Sequence, residues 1–488
     1  MTRGEDRMPS AHRHNHAFRH FNAREREGLT LVSRRNLLKA GLAGIAGLTL
    51  PDLLRHRAGA AQAGRTTPNG KSVILLWMAG GPSHIDTWDP KPDRPLQNRG
   101  PFGTISTRLP GVRFCEYLPR HAAMMDKFTV IRSVDAHGSN HEPNSVFQTG
   151  NILAEPRENR EAHLYPAIAS IIAKERGSNH PSMPAYAVFM RSRSHIAWSG
   201  YLGKAYDPFH ANQAASLPIY DSVGGDTGQR SSASLFQLPS GLTYERIHER
   251  RSLLREFDQV RRDIDVSGSM DVMDRYGQQA VEMLVGRRAQ EAFDLSREPA
   301  GVRDRYGSHL WCQQALLCRR LVEAGVAFVT LDLSYHTASG TWDTHGDNIP
   351  PYGGIWNGLR PLLPLFDHLL TTLVADLDQR GLLDNTLVIA MGEFGRTPQM
   401  GTQDSTDGRN HWPVVMSMAL AGGGLRHGQV IGATETDGGH IKERRVTPGD
   451  LAATIYRHMG VPLETVYHDH TGRPRAVVEN GRPIWELF

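Results

Sequence analysis

The chain has 488 residues, which is enough for roughly two to three average domains or for one larger α/β domain. Its net charge is +4, but the first 63 residues carry 11 Lys/Arg against 5 Asp/Glu, and the remainder has 44 basic and 46 acidic residues. We therefore predict no nucleic-acid partner. Three cysteines, Cys115, Cys312 and Cys318, exclude a dense disulfide framework, and the last two are expected to be core residues of a helix.

The N-terminal segment has the order of an export signal. Arg34 and Arg35 precede an uncharged Gly/Ala/Leu stretch, residues 40–50, and an Ala-Gln-Ala site ends at Ala63. The apolar stretch is too short to span a bilayer comfortably, so we expect no stable membrane span in the mature chain. The segment resembles a twin-arginine leader, which implies the twin-arginine export machinery as a partner and a periplasmic or extracellular location. The alternative is a buried helix with a basic flank.

We divide the chain into a leader, residues 1–63, and a single α/β domain, residues 64–488. Residues 1–30 are rich in His and Arg and are expected to be disordered, although a mis-assigned start codon would also explain them. Residues 201–240 lack periodicity and are interpreted as a long loop or lid. Residues 241–325 are charged and helix-forming, and they predict a helical excursion from the domain.

Short apolar runs bounded by glycine or polar loops predict the strands of a sheet. These runs are residues 71–79, 128–134, 185–190, 326–333, 386–391 and 414–420. Amphipathic patterns predict helices near residues 142–148, 164–174, 362–380 and 450–459. Because strands alternate with helices, we predict a doubly wound, mainly parallel α/β sheet with both faces covered.

Polar residues cluster in the loops that follow four of these strands. They are Ser83, His84, Asp86 and Asp89; His137, Ser139, Asn140, His141 and Glu142; His336, Asp343, His345 and Asp347; and Glu393, Arg396, Arg409 and His411. The carboxyl ends of parallel strands meet at one edge of such a sheet, where ligands bind, so these loops are expected to converge.

The segment Trp-Asp-Thr-His-Gly-Asp-Asn, residues 342–348, is the sharpest candidate for metal ligation. In an extended segment, the alternate side chains of Asp343, His345 and Asp347 face one point, and carboxylate with imidazole suits zinc, manganese or iron. An Asx-turn, in which the two carboxylates bond local amides, is the alternative. His84 and Asp86 share the spacing but also fit satisfied polar residues.

Around residues 386–413, a carboxylate, two guanidiniums and an imidazole follow one strand. Together, Glu393, Arg396, Arg409 and His411 are able to hold a divalent cation and an anion. A surface loop with two solvated arginines is the alternative.

Several motifs, in this order, carry a family resemblance. They are SRRNLLKAG, ILLWMAGGPSHIDTWDPKP, TWDTHGDN, GEFGRTP, GRNHWP, AGGG and TPGDLAATIYRHMG. They resemble the bacterial exported family called "domain of unknown function 1501", which is similar in fold to the alkaline phosphatase and sulfatase superfamily. The resemblance implies a sulfatase-like α/β sheet with the ancestry of a metal-dependent ester hydrolase.

The resemblance also implies a site for a divalent metal, which is zinc, manganese, calcium or magnesium. The implied ligands are Asp343, His345, Glu393 and His411. The paired acids that end the first strand of sulfatases are replaced here by Gly80 and Gly81, so His84 or Asp86 would have to take their place. The Asp-His pair of the superfamily is Glu393-Phe394, which lacks the imidazole.

The residues at the nucleophile position depart most from the pattern of the superfamily. Counting back from a Thr-Gly pair at residues 149–150 places Asn140 or His141 at the nucleophile position, and Ser139 and Ser145 are the hydroxyls available. The implied catalytic residues are Ser139, His141 and Arg396, and the implied anion-binding residues are Arg396 and Arg409. Water activated by the metal is a second route that needs no side-chain nucleophile.

Three functions are consistent with the sequence. The first is an exported metal-dependent hydrolase of sulfate or phosphate esters, acting on a small-molecule or glycan ester. The second is a degenerate relative that binds an anionic or glycan ligand without turnover. The third is a phosphotransferase or mutase, which needs a phosphorylatable Ser139 or Ser145.

Overall fold

The structure, a computed structural model, describes residues 70–137, 141, 145–236, 246, 283, 287–337, 339–346, 353–402 and 404–488. The predicted leader with Arg34 and Arg35 lies outside the described residues, as do Ser139, Asn140, Glu142 and Asp347. The division of the chain at residue 63 stays a prediction.

An eight-stranded sheet forms the centre of the fold. Its strands are β1 (Ser72–Trp77), β2 (Phe128–Val134), β3 (Tyr186–Phe189), β4 (Phe209–His210), β5 (Phe328–Asp332), β6 (Thr386–Met391), β7 (Met416–Gly422) and β8 (Gln429–Ile431). Their order across the sheet is β8-β2-β7-β6-β1-β5-β3-β4, and only β7 runs antiparallel to its neighbours. The predicted mainly parallel sheet is confirmed. Between β6 and β7 the described residues form no helix, so the chain re-enters the sheet at the edge where it left, which reverses β7.

Helices cover both faces of the sheet. They are α1 (Leu96–Arg99), α2 (Pro119–Ala123), α3 (Ser145–Thr149), α4 (Ile168–Glu175), α5 (Arg287–Phe293), α6 (Ala300–Tyr306), α7 (Leu310–Ala324), α8 (Arg360–Gln379) and α9 (Pro448–Met459). Ile74 and Leu76 of β1 pack in one core with α7 and α8. Val73, Leu75 and Trp77 pack in the other with α4 and α9. Successive strand residues point to opposite faces, so β1 is apolar throughout.

Helix ends follow local capping chemistry. The hydroxyl of Thr447 accepts a hydrogen bond from the amide of Asp450, whose carboxylate accepts one from the Thr447 amide, and Gly460 ends α9 in the left-handed conformation. This capping box starts α9 at Pro448, two residues before the predicted start. The predicted helix at residues 164–174 instead begins at Ile168, because Pro166 favours extended backbone before it.

Two predicted segments differ from the structure. Residues 201–236 are not one irregular loop, because they contribute edge strand β4 and a hairpin, Pro218–Tyr220 with Asp226–Arg230. Within residues 241–325, α7 is no excursion, since it packs on the sheet in the same core as β1 and β5. Among the helices that the structure describes, none combines the length and apolar character needed to cross a membrane.

The remaining strands form two-stranded ribbons. These are Thr104–Ser106 with Arg113–Cys115, Gly395–Arg396 with His411–Trp412, Ala433–Thr434 with Ile441–Glu443, and Val466–His468 with Pro474–Ala476. The second of them follows β6 directly and lies at the edge where the polar loops meet.

Candidate metal centre

Glycine at the end of β1 lets two loops come together. A Cβ atom on Gly80 would lie 2.2 Å from the amide nitrogen of Asp343, and Gly80 has a positive φ of 115°. The amide of Trp342 donates to the carbonyl of Ala79 at 3.0 Å, which joins this loop to the strand end. Gly392, after β6, has no positive φ, but a Cβ there would lie 2.6 Å from the carbonyl oxygen of Met78. Both glycines are therefore required by close backbone approach rather than by the turn alone.

A short ribbon places the last candidate ligand. Gly395 and Arg396 pair antiparallel with Trp412 and His411, so Arg396 lies directly opposite His411. The ribbon begins four residues after β6 ends, and His411 is thereby carried back to the same sheet edge as the loop after β5. Residues about seventy positions apart in sequence thus share one site.

Three imidazoles and one carboxylate converge at this edge. His141, Asp343, His345 and His411 each offer one ligand atom, and these atoms all lie within 4.8 Å of one another. Nε2 of His141 lies 2.5 Å from Nε2 of His411 and 3.4 Å from Oδ2 of Asp343. Nε2 of His345 lies 3.2 Å from Oδ1 of Asp343. We call this group the His3Asp cluster.

The charge of Asp343 is held by its neighbours. The side chain is buried, which opposes ionisation, but the guanidinium of Arg396 at 2.5 Å and the imidazoles of His141 and His345 outweigh burial and lower its pKa. The hydroxyl of Ser339 donates to Oδ2 of Asp343 at 2.5 Å. The carboxylate is therefore ionised at neutral pH and suited to a cation.

His411 is kept neutral. Burial lowers the pKa of its imidazole, and the positive charge of Arg396 lowers it further. A neutral ring is the form that binds a metal, because the lone pair on Nε2 is free. Phe394 packs against the rings of His141 and His411, with centroid distances of 4.7 and 4.6 Å, and forms an apolar wall on one side.

Glu393 lies behind the cluster rather than in it. Its Oε1 is 2.7 Å from Nδ1 of His141 and accepts a hydrogen bond of 2.8 Å from the amide of Gly80. A carboxylate on Nδ1 fixes that nitrogen as the donor and turns the Nε2 lone pair of His141 toward the cluster. Glu393 is not one of the four residues of the cluster, and its predicted role as a direct ligand stays a prediction, since two donors use Oε1 but none of the described residues bonds Oε2.

His141 stands where sequence reasoning placed a catalytic residue at the nucleophile position. The structure instead makes its Nε2 part of the His3Asp cluster. One signal pointed to this role, because His141 follows β2 at the shared edge and imidazole is the commonest metal ligand.

The protein uses four of the five N–H groups of Arg396. Its guanidinium, fully buried, donates to the carbonyls of Gly80, Gly81 and Arg409 and to the carboxylate of Asp343. A side chain with four protein acceptors is a positioning residue for Asp343, which corrects its interpretation as an anion-binding catalytic group.

Arg409 is saturated. Its five hydrogen bonds reach both carboxylate oxygens of Asp86 and the carbonyls of Thr397, Pro398 and Asn98. All the N–H groups of the guanidinium are used, and the pair with Asp86 is fully buried. The predicted role in anion binding is therefore corrected to one of joining the first loop to the ribbon.

The predicted replacement ligands of the first loop are also corrected. Asp86 bonds Arg409 at 2.7 Å and the hydroxyl of Ser83 at 2.5 Å, and neither Asp86 nor His84 belongs to the His3Asp cluster. Nε2 of His84 faces the carbonyl of Gly438 at 2.8 Å, and burial lowers the pKa of the ring. Ser145 is buried at the start of α3.

The donor set of the cluster fits a divalent metal. Three imidazole nitrogens and a carboxylate, with a second carboxylate on the far nitrogen of one ring, are the arrangement that transition metals such as zinc take in proteins.

The family comparison agrees with the sequence motifs. Residues 70–488 match the family described as "Protein of unknown function (DUF1501)". The chain belongs to this family. The comparison with curated proteins found no match.

Solved structures similar to this DUF1501 protein include three hydrolases at low identity. The PsFucS1 sulfatase from Pseudoalteromonas sp. is 13% identical over 88% of this chain and 72% of that chain, with a TM-score of 0.36. The phosphonate monoester hydrolase SpPMH from Silicibacter pomeroyi is 12% identical over 85% and 75%, with a TM-score of 0.33. The phosphonate monoester hydrolase of Agrobacterium radiobacter is 11% identical over 86% and 77%, with a TM-score of 0.36.

Proposed function

We propose that this protein is an exported metal-dependent hydrolase of sulfate or phosphate esters. The observation that carries the proposal is the convergence of His141, Asp343, His345 and His411, whose ligand atoms lie within 4.8 Å of one another. An ionised Asp343 carboxylate and a neutral His411 ring at the ligand-binding edge of a parallel sheet support metal-assisted hydrolysis.

The donor set favours one class of metal. Calcium, magnesium and manganese take mainly oxygen ligands, whereas imidazole nitrogens suit zinc, iron, nickel or copper. With three histidines to one aspartate in the cluster, we propose zinc as the resident ion.

When bound, a divalent ion supplies a Lewis acid and brings the pKa of water from about 15.7 to about 7. The protein holds each ligand in the protonation state that binds a metal. Arg396 keeps Asp343 ionised, and Glu393 holds the proton on Nδ1 of His141. This route needs no serine nucleophile, because the metal activates water.

A second candidate function is binding of an anionic ligand without turnover. It is favoured by the use of four N–H groups of Arg396 and all five of Arg409 within the protein, which leaves neither motif arginine two N–H groups to hold a sulfate or phosphate group. The phosphotransferase alternative needs Ser139, which lies outside the described residues, or Ser145, which is buried at the start of α3.

The test is metal content and turnover of protein purified after native export. Wild type is expected to hold a divalent metal near neutral pH and to cleave an aryl sulfate or aryl phosphate ester. His345→Gln should lose most of both, because it removes one ligand atom of the cluster. His163→Gln, at an exposed position, is the matched control and should keep both.

Two outcomes decide between the candidates. Bound metal without turnover over a broad ester panel would favour the binding function. If the wild-type protein is folded but contains no metal and cleaves no ester, the case for a metal centre is removed.

Export has its own test. Replacing Arg34 and Arg35 together by Lys is expected to leave the protein in the cytoplasm, because the leader resembles one read through its paired arginines. Replacing Arg24 and Arg26 by Lys is the matched control and should not change export. Normal processing after Ala63 in the first variant would contradict the twin-arginine route.

A further inference from the structure

Asn-Gly pairs are chemically labile, because glycine has no side chain to hold its backbone nitrogen away from the asparagine side chain. The chain contains three such pairs, which begin at Asn69, Asn357 and Asn480. Asn69 lies outside the described residues. We infer that Asn480 is a site of spontaneous deamidation and that the product weakens the attachment of residues 482–488 to α9. Neither the metal centre nor the proposed function enters this reaction.

The pair Asn480-Gly481 is free to react. Both residues are exposed, and they follow the ribbon strand Pro474–Ala476. Among the residues that the structure describes, none forms a hydrogen bond with the side-chain amide of Asn480 or with the backbone N–H of Gly481. The side chain of Asn480 is therefore able to bring its carbonyl carbon to the Gly481 nitrogen without breaking a hydrogen bond.

The pair Asn357-Gly358 is held by its helix. Asn357 is exposed as well, but it lies in the π-helical turn Ile355–Leu359 that leads into α8. The amide of Gly358 donates to the carbonyl of Gly354 at 2.9 Å. This nitrogen is able to turn toward the Asn357 side chain only if the hydrogen bond breaks and the turn opens. The loss of one such bond slows the reaction by about tenfold.

The reaction needs water as its one co-reactant. The Gly481 nitrogen attacks the side-chain carbonyl carbon of Asn480, and the new C–N bond closes a succinimide ring. The C–N bond to the side-chain NH2 group breaks, and the proton from the Gly481 nitrogen leaves with that group as ammonia. Water then opens the ring by adding its OH to one ring carbonyl and its hydrogen to the nitrogen. Opening at the side-chain carbonyl gives aspartate, and opening at the main-chain carbonyl gives isoaspartate, whose backbone runs through the former side chain.

The backbone of Asn480 and Gly481 packs directly on the start of α9. A Cβ atom on Gly481 would lie 2.2 Å from the carbonyl carbon of Gly449. A Cβ atom on Gly449 would lie 1.6 Å from the carbonyl oxygen of Asn480. Isoaspartate adds one carbon to the backbone at this contact, and there is no room for the longer backbone unless one of the two chains moves.

The residues that follow are held on α9 by their backbone. The amide of Arg482 donates to Oδ1 of Asp450 at 2.7 Å, and the amide of Ile484 donates to Oγ1 of Thr454 at 2.9 Å. The side chain of Ile484 is fully buried in the same core as the apolar face of α9. A longer backbone at residue 480 displaces both amides from their acceptors, so isoaspartate weakens the docking of residues 482–488.

The experiment incubates folded wild-type protein at mildly alkaline pH and follows both pairs by peptide mass spectrometry, which detects the replacement of NH2 by OH. Asn480 is expected to convert about tenfold faster than Asn357. In urea the two pairs should convert at similar rates, because neither amide is then held. Equal rates in the folded protein would overturn the inference. An Asn480 that stays intact while the unfolded chain converts would also overturn it.

Two variants assign the loss of stability to isoaspartate. Wild type in which isoaspartate has accumulated at residue 480 is expected to melt about 2 °C or more below fresh wild type. Fresh Asn480→Asp should melt as wild type does, because it adds the charge without lengthening the backbone. Asn480→Gln is the matched control for the incubation, since its longer side chain closes the ring far more slowly, and its melting temperature should not change. An equal loss in either variant would overturn the proposed effect on α9.

Discussion

Glu393 contacts Nδ1 of His141 and so supports the His3Asp cluster through the ring of that histidine. We expect Glu393→Gln to keep the fold and to weaken zinc affinity by about 10- to 100-fold, because a neutral amide makes His141 a poorer ligand without removing a ligand atom. A chelator competition titration measures the affinity, and a thermal melt checks the fold.

The exposed Glu443 provides the control, and Glu443→Gln should bind zinc as wild type does. Complete loss of zinc in Glu393→Gln, equal to that in His345→Gln, would instead make Glu393 a direct ligand.

Arg396 and Arg409 each neutralise a buried carboxylate, Asp343 and Asp86 respectively. We expect Arg396→Met and Arg409→Met each to lower the free energy of unfolding by about 3–5 kcal/mol, because each leaves a buried charge without its partner. Urea unfolding measures both.

Zinc separates the two arginine variants. Saturating zinc should restore part of the lost stability in Arg396→Met, since Asp343 belongs to the His3Asp cluster, and should restore none in Arg409→Met, since Asp86 does not. Equal rescue of the two variants would contradict this assignment.

At the scale of elements, the junction between β1 and the loop after β5 depends on Gly80. Gly80→Ala would push a Cβ to 2.2 Å from the Asp343 amide at a φ of 115°, so we expect it to destabilise the protein by about 2 kcal/mol or more and to weaken zinc binding. Gly111→Ala shares a positive φ but meets no atom within 4 Å. This control should lose only about 1 kcal/mol and keep zinc affinity. Urea unfolding and zinc titration test both, and equal losses would contradict the packing argument.

Most of the long strands can be predicted from local sequence alone. β1 was predicted one residue too long at its N-terminal end and two too long at its C-terminal end. β6 was predicted with its observed limits, because an apolar run bounded by glycine specifies a doubly buried strand locally. The hairpin that contains Pro218–Tyr220 and the edge strand β4 were missed. Strands of two or three residues are too short to show a pattern in the sequence, and they form only against a partner strand.

At the scale of the whole molecule, buried histidines govern the response to acid. Burial lowers the pKa of His121 to about 3 and those of His309 and His458 to about 4, from 6.5. The unfolded chain therefore binds protons first, and stability is retained above pH 6.5 and lost as pH falls from 6.5 toward 4.

Replacing one of these histidines should flatten that dependence. We expect His458→Gln to reduce the slope of unfolding free energy against pH by about 1.4 kcal/mol per pH unit within this window, since one fewer proton is taken up on unfolding. His440→Gln, at an exposed position, is the control. Urea unfolding at pH steps from 7 to 4 measures the slope, and an unchanged slope in His458→Gln would contradict the prediction.

The sequence by itself determined the main strands, the mainly parallel sheet and the edge at which the polar loops gather. It also specified the family, because a set of motifs in order needs no geometry. The sequence also predicted that Asp343, His345 and His411 lie close together, because loops that follow parallel strands meet at one edge of the sheet.

Only the tertiary structure decided which polar residues face the cluster and which support it. Glu393, Arg396 and Arg409 carry the right charges for a site, but each is used by groups that arrive from distant loops, such as the Nδ1 of His141 and the carboxylate of Asp86. Hydrogen-bond partners are chosen by position in space, and a residue's type does not state which of its atoms will be left free after folding.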